Sequence, residues 1–138
     1  MKRVHIDILA ALVAAVLAWS CQSSEEKARE AIEKGTHLML ASDFRGALEA
    51  FDQAVQYAPE YPEAYYQRGN AWYNLREPQK AIEDYTLAIQ LDSTMADAWF
   101  NRGNVWFYLD DRQRSCDDWK EAERLGKPNV GDKTRFCP

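Results

Sequence analysis

Three glycines, Gly35, Gly69 and Gly103, are separated by the same interval of 34 residues. Around the second and third the text nearly repeats. Ala64-Tyr-Tyr-Gln-Arg-Gly-Asn-Ala-Trp-Tyr-Asn-Leu75 stands against Ala98-Trp-Phe-Asn-Arg-Gly-Asn-Val-Trp-Phe-Tyr-Leu109. The same offset aligns Ala47, Ala81 and Ser115, then Phe51, Tyr85 and Trp119, then Ala54, Ala88 and Ala122. A fixed period of this length marks a stack of identical supersecondary units, each unable to hide its apolar face alone. Gly and Ala on facing helices let two backbones approach closely, and a large ring at 51, 85 or 119 buries that contact.

The spacing and the residue types resemble the tetratricopeptide (TPR) family, whose repeat is a helix–turn–helix of 34 residues. Tyr65 and Trp99 hold that family's first aromatic position, Trp72 and Trp106 its tyrosine position, and Pro59 its closing proline. The chain departs from the pattern in places. Ala31 and Leu38 replace aromatics in the first repeat, and Ser93 replaces the proline of the second. Ser115 replaces Ala, Pro128 comes one residue late, and Lys34, Arg68 and Arg102 precede the glycines where Leu is usual. The resemblance implies an all-α helix–turn–helix solenoid of three repeats, at 28–61, 62–95 and 96–129, with residues 130–138 as a short C-terminal cap.

Local signals place the helices within that frame. The first helix is expected over about 25–40, and Asp43 is a good N-cap for the second. Pro62 suits a first helical turn, and Arg76-Glu77-Pro78 breaks the chain before a helix over 79–91. Ser93 is expected to cap the next helix, Asp110-Asp111 to break again, and Gly126 to stop the last.

The resemblance also implies a binding face. Counting from the first aromatic of each repeat, it points Tyr66, Asn70, Tyr73 and Asn74, then Phe100, Asn104, Phe107 and Tyr108, into a concave groove. Ile32, Thr36, Met39 and Leu40 are the equivalents in the first repeat. Such an aromatic-rich surface suits an extended peptide, and Asn70 and Asn104 offer both donors and acceptors to its backbone. The alternative is that these aromatics pack on each other between adjacent helices. Some TPR proteins grip chaperone C-terminal carboxylates through lysines; those positions here hold Ile32 and Phe100, so that clamp is not expected. Arg68 and Arg102 are expected to pair with acidic neighbours in the stack.

The N-terminus has a different composition. Lys2 and Arg3 precede an unbroken apolar run, Ile8 to Trp19, followed by Ser20 and Cys21. Twelve residues suit a signal-peptide core and fall short of a bilayer span. The arrangement resembles the lipobox of bacterial lipoproteins, which implies lipidation at Cys21, export to the bacterial cell envelope and anchoring on the periplasmic side or cell surface. Ala18 and Trp19 stand where the family prefers Leu and a small residue. An uncleaved signal anchor, or ordinary cleavage, is the alternative. The polar residues 22–27 read as a tether.

Catalysis finds no support in the residue pattern. The two histidines are His5, in the leader, and His37, alone on a helix. There is no Cys-x-x-Cys, His-Glu-x-x-His or phosphate-cradling glycine loop, so neither metal nor cofactor is expected. Asp110-Asp111 and Asp117-Asp118 lie beside basic residues and read as solvated faces. Net charge is −5 with no basic stripe, which argues against nucleic acid. The expected function is a non-enzymatic scaffold for an unidentified protein or peptide, anchored at a membrane; the alternative is a signal-anchored assembly domain.

Two cysteines remain. Cys116 aligns with Leu48 and Ile82, which in TPR stacks face the next repeat. Val55 and Ile89 face the same way, but Glu123 occupies their place in the third repeat. The last forward face has lost apolar surface, and a tail containing Phe136 and Cys137 follows it. A Cys116–Cys137 disulfide closing the end is expected, favoured by export and by similar cysteines in exported bacterial TPR proteins. The other reading is a small buried Cys116 and an idle Cys137.

Overall fold

The computed structural model describes residues 24–135 and 137. The leader, with Cys21, and Phe136 lie outside the described residues. Seven helices and no strand are present among those described: α1 over 24–40, α2 Phe44–Tyr57, α3 Pro62–Asn74, α4 Pro78–Leu91, α5 Ala96–Tyr108, α6 Arg112–Arg124 and the single-turn α7 Gly131–Thr134. From α2 to α7 each helix packs on its chain neighbour, and α1 meets α2 where Gly35 faces Phe51, giving the expected all-α solenoid of helix pairs. None of the described helices is long and apolar enough to cross a membrane.

The turns inside the repeats share one device. Ser42, Arg76 and Asp110, again 34 apart, adopt positive φ of 61°, 64° and 61°. In each case the following N–H donates back across the last helical turn, as from Glu77 to the Trp72 carbonyl at 3.0 Å. This is the left-handed stop that usually employs glycine; here only the stop after α6 does, at Gly126. Asp43 and Asp111 then cap α2 and α6 by accepting from the N–H groups of Gly46 and Arg114, and Pro62 and Pro78 open α3 and α4.

Two expectations about boundaries are corrected. Residues 24–27 are helical and lead directly to the fully buried Ala28, so that part of the 22–27 segment is helix, not tether. Ser93 does not cap α5, which begins at Ala96 after Met95. Asp92 takes over that turn, accepting from both the N–H and the hydroxyl of Thr94.

The core repeats with the sequence. A methyl group added at Gly69 would lie 2.8 Å from the Tyr85 ring, and one at Gly103 2.7 Å from the Trp119 ring; Gly35 stands against Phe51 in the same way. Ala47, Ala81 and Ser115 are buried beside these rings. Leu48 packs against the cluster that joins Ala47 and Phe51 to Ala71 of the next repeat, and Ile82 against the one that joins Ala81 and Tyr85 to Val105. Within the second repeat Arg68 forms a two-pronged pair with Asp84 (2.8 and 2.7 Å), and it reaches across to Asp52 of the first repeat, on α2, at 2.9 Å. Arg102 repeats this with Asp118 (2.8 and 2.8 Å) and the Thr86 hydroxyl at 2.9 Å. Both arginines thus pair with acidic neighbours in the stack, and Asp118, expected on a solvated face, is instead buried by its pairing with Arg102. Burial raises the Asp84 and Asp118 carboxyls against the opposing pull of the guanidinium groups.

Candidate functional site: the concave groove

The first helices of the second and third repeats, α3 and α5, present one face to an open cavity of about 890 Å³. Seven of the eight predicted groove residues line it: Asn70, Tyr73, Asn74, Phe100, Asn104, Phe107 and Tyr108. Helical geometry explains the set, since positions one turn and two turns apart share a face. Tyr73 and Tyr108 meet edge to face at 6.4 Å between ring centres, yet Tyr108 remains 57% exposed and Phe107 48% exposed. Packing between helices therefore uses one side of these rings and leaves the other open.

Tyr66 is the exception. It shares the face of Tyr73 but packs 6.0 Å from the Tyr85 ring, and its hydroxyl accepts from Asn101 at 3.2 Å. α5 lies over this position, so Tyr66 packs at the repeat interface instead of lining the cavity. In the first repeat only Met39 reaches the cavity. Ile32 packs into the core, the Thr36 hydroxyl donates to the Ile32 carbonyl, and Leu40 projects outward.

The two asparagines are not free to serve a ligand with all their polar atoms. The Asn70 carbonyl oxygen accepts from the Tyr85 hydroxyl at 2.7 Å and from Asn101 at 3.0 Å, while its amide donates to Gln67. Burial pushes the Tyr85 phenol far up, so it stays protonated and needs that acceptor. The Asn104 oxygen accepts from the Trp119 indole at 3.2 Å. Each asparagine thus holds the polar tip of the ring that covers the repeat glycine. The repeat register contained the signal: Phe51, which has no polar tip, is matched by Thr36 where the other repeats have Asn.

Four lining residues lie outside the expected groove set: Tyr85 and Val105, which belong to one core cluster, and Asn101 and Lys133. Asn101 belongs to the network just described, and Lys133 comes from α7, outside the repeats. Among the described residues no group of His, Cys, Asp and Glu side chains could hold a metal.

The end of the stack is closed by the tail. Val130 is buried, and the Thr134 hydroxyl donates to Glu123, the polar residue that replaces Val55 and Ile89. The Cys116 and Cys137 sulfurs lie at bonding distance, with their Cα atoms 5.6 Å apart. A second cavity of about 450 Å³ adjoins this corner, lined by Phe107, Cys116, Trp119 and Lys133 among others.

Comparison with known proteins agrees with this architecture. The tetratricopeptide-repeat pattern matches residues 32–96, and no curated protein matches the chain. Among solved structures, the first TPR domain of Spaghetti (RPAP3), bound to the HSP90 peptide SRMEEVD, is 22% identical. It has a TM-score of 0.77 over 80% of this chain and 90% of that one. The Arabidopsis OM64 TPR domain is 20% identical, with a TM-score of 0.77 over 81% and 93%. The TPR2B domain of yeast Sti1, in complex with pHsp70, is 24% identical, with a TM-score of 0.72 over 80% and 89%. Residues 32–96 of this chain are tetratricopeptide repeats by sequence, and the described chain as a whole has the tetratricopeptide-repeat fold.

Proposed function

We propose that this protein is a non-enzymatic scaffold that holds an extended segment of a partner polypeptide in its concave groove. The observation that carries the reading is the open side of Tyr73, Phe107 and Tyr108, half-exposed rings around a cavity of about 890 Å³. Rigid aromatic anchors in a concave surface are where peptide-binding energy concentrates. Two structural relatives carry bound chaperone ligands, HSP90 peptide and pHsp70. With Ile32 and Phe100 at the clamp positions, the partner proposed here is not a chaperone tail.

Site-specific crosslinking tests the groove. A photo-reactive phenylalanine analogue replacing Tyr108 should capture a partner in cells, whereas the same group replacing Tyr57, outside the cavity, should not. Equal capture at both positions would refute the groove.

The leader supports export and anchoring through a lipid on Cys21. Cys21→Ser should then release the protein from membranes and change its mobility; unchanged fractionation and mobility would exclude lipidation. The intact mass of the native protein separates a lipoprotein from a signal-anchored form that keeps residues 1–20. An oxidising compartment also suits a formed Cys116–Cys137 bond.

A further inference from the structure

Among the described residues the concave cavity is lined by a single charged side chain, and it comes from the cap. The ammonium of Lys133 lies 4.7 Å from the Trp119 ring centre and 5.6 Å from that of Phe100. Among the described residues it forms no ion pair. Lys127, which also faces Phe100, is instead neutralised by Asp97. No acidic residue lines the cavity, although the chain has 22 of them. An unpaired cation against aromatic walls attracts a carboxylate strongly, because the low dielectric of the wall weakens screening.

We propose that Lys133 is the specificity-determining residue of the groove, selecting peptide segments with an internal Asp or Glu, and that the Cys116–Cys137 bond holds it in place. This rests on reading the groove as a peptide site. An internal residue is favoured over a chain end because Lys133 lines both the concave cavity and the adjoining one of about 450 Å³, whose lining adds Arg112 and Asp132, the latter paired with Arg135. A peptide passing it has room on either side.

Cys137 lies four residues beyond Lys133, and its N–H donates to the Thr134 carbonyl. The bond therefore secures the turn that carries the cation. Without it, that turn is held by buried Val130 and by the exposed Thr134–Glu123 hydrogen bond.

The test uses the full chain in detergent and a library of acetylated, amidated octapeptides. One internal position is fixed as Asp or Glu, or as Asn or Gln, with the others randomised. The native protein should prefer acidic pools over their amide counterparts by about tenfold, the scale of one charge-assisted hydrogen bond. Lys133→Gln should abolish the preference and Lys133→Arg should retain it. The Cys116→Ser/Cys137→Ser variant should lose most of it while keeping its helical circular dichroism. Equal binding of acidic and amide pools by native protein, or a preference that survives Lys133→Gln, overturns the role of Lys133 and leaves the groove reading intact. A full preference in the double serine variant overturns the role of the bond. Binding of no pool at all overturns the groove reading with it.

Discussion

Asn70 holds a polar tip inside the repeat, and that role makes a sharp prediction. Its carbonyl oxygen is the acceptor for the hydroxyl of Tyr85, a side chain 1% exposed, at 2.7 Å. Asn70→Ala removes that acceptor from a largely buried hydroxyl and should destabilise by about 2 kcal/mol, within the range for a buried polar group left without its partner. Tyr85→Phe removes the hydroxyl and leaves Asn70 bonded to Asn101, so it should cost only about 1 kcal/mol. In the Tyr85→Phe background, Asn70→Ala should then cost well under half of its effect in the native protein. That combination approaches the Phe51–Thr36 pairing of the first repeat. The resulting coupling, above about 1 kcal/mol, is readable from urea titrations of the four proteins followed by circular dichroism. If Asn70→Ala costs the same with and without the hydroxyl, the asparagine does not serve Tyr85 and the reasoning fails.

Other substitutions test other parts of the fold. Gly69→Ala should destabilise by about 1–3 kcal/mol, since the added methyl would lie 2.8 Å from the Tyr85 ring; thermal melts showing an unchanged midpoint would contradict the close packing. Arg76→Gly should stabilise by up to about 1 kcal/mol by relieving a positive φ, and a loss in urea titration would count against this. Arg102→Ala should cost about 3 kcal/mol at neutral pH by leaving the Asp118 carboxylate, 6% exposed, buried without its partner. Burial already raises the Asp118 pKa, and removing the guanidinium raises it further. The Asp118 contribution in the variant is thus fully present below the ordinary carboxylate range near about 4 and is lost as pH rises through the raised value. Its stability deficit should grow from acid to neutral pH, and a flat deficit would contradict the assignment. Thiol titration of the unfolded, unreduced protein should find Cys116 and Cys137 unreactive. Reduction should lower stability by about 3 kcal/mol, from closure of a loop of 21 residues.

The solenoid was legible because a repeat states the same packing problem three times: a glycine, an alanine and a covering ring in one register. The groove face was legible for the same reason, since helical spacing groups Asn70, Tyr73 and Asn74. Depth was not. Tyr66 and Tyr73 lie on one face, and only the overlying helix decides that the first is sealed and the second open. The asparagines were legible in type but were read toward a ligand. The variation of residues 36, 70 and 104 with residues 51, 85 and 119 points inward instead. Lys133 could not be placed, because its position depends on how a tail of few apolar residues folds back. The stops at Ser42, Arg76 and Asp110 carry no compositional mark of positive φ; only their common register links them.

The polar Glu123 and the folded-back tail make the two faces of a repeat unequal at the end of the stack. Every junction from α2 to α5 joins the same two surfaces, so a duplicated unit inserted between residues 95 and 96 would find on each side the surface it was shaped for. The same unit inserted between residues 129 and 130 would meet Glu123 and Cys116 where its partners offer Ile89 and Ile82. It would also carry Cys137 away from its place. The molecule can therefore be lengthened from within, as a rod of interchangeable segments, but not by addition at its sealed end.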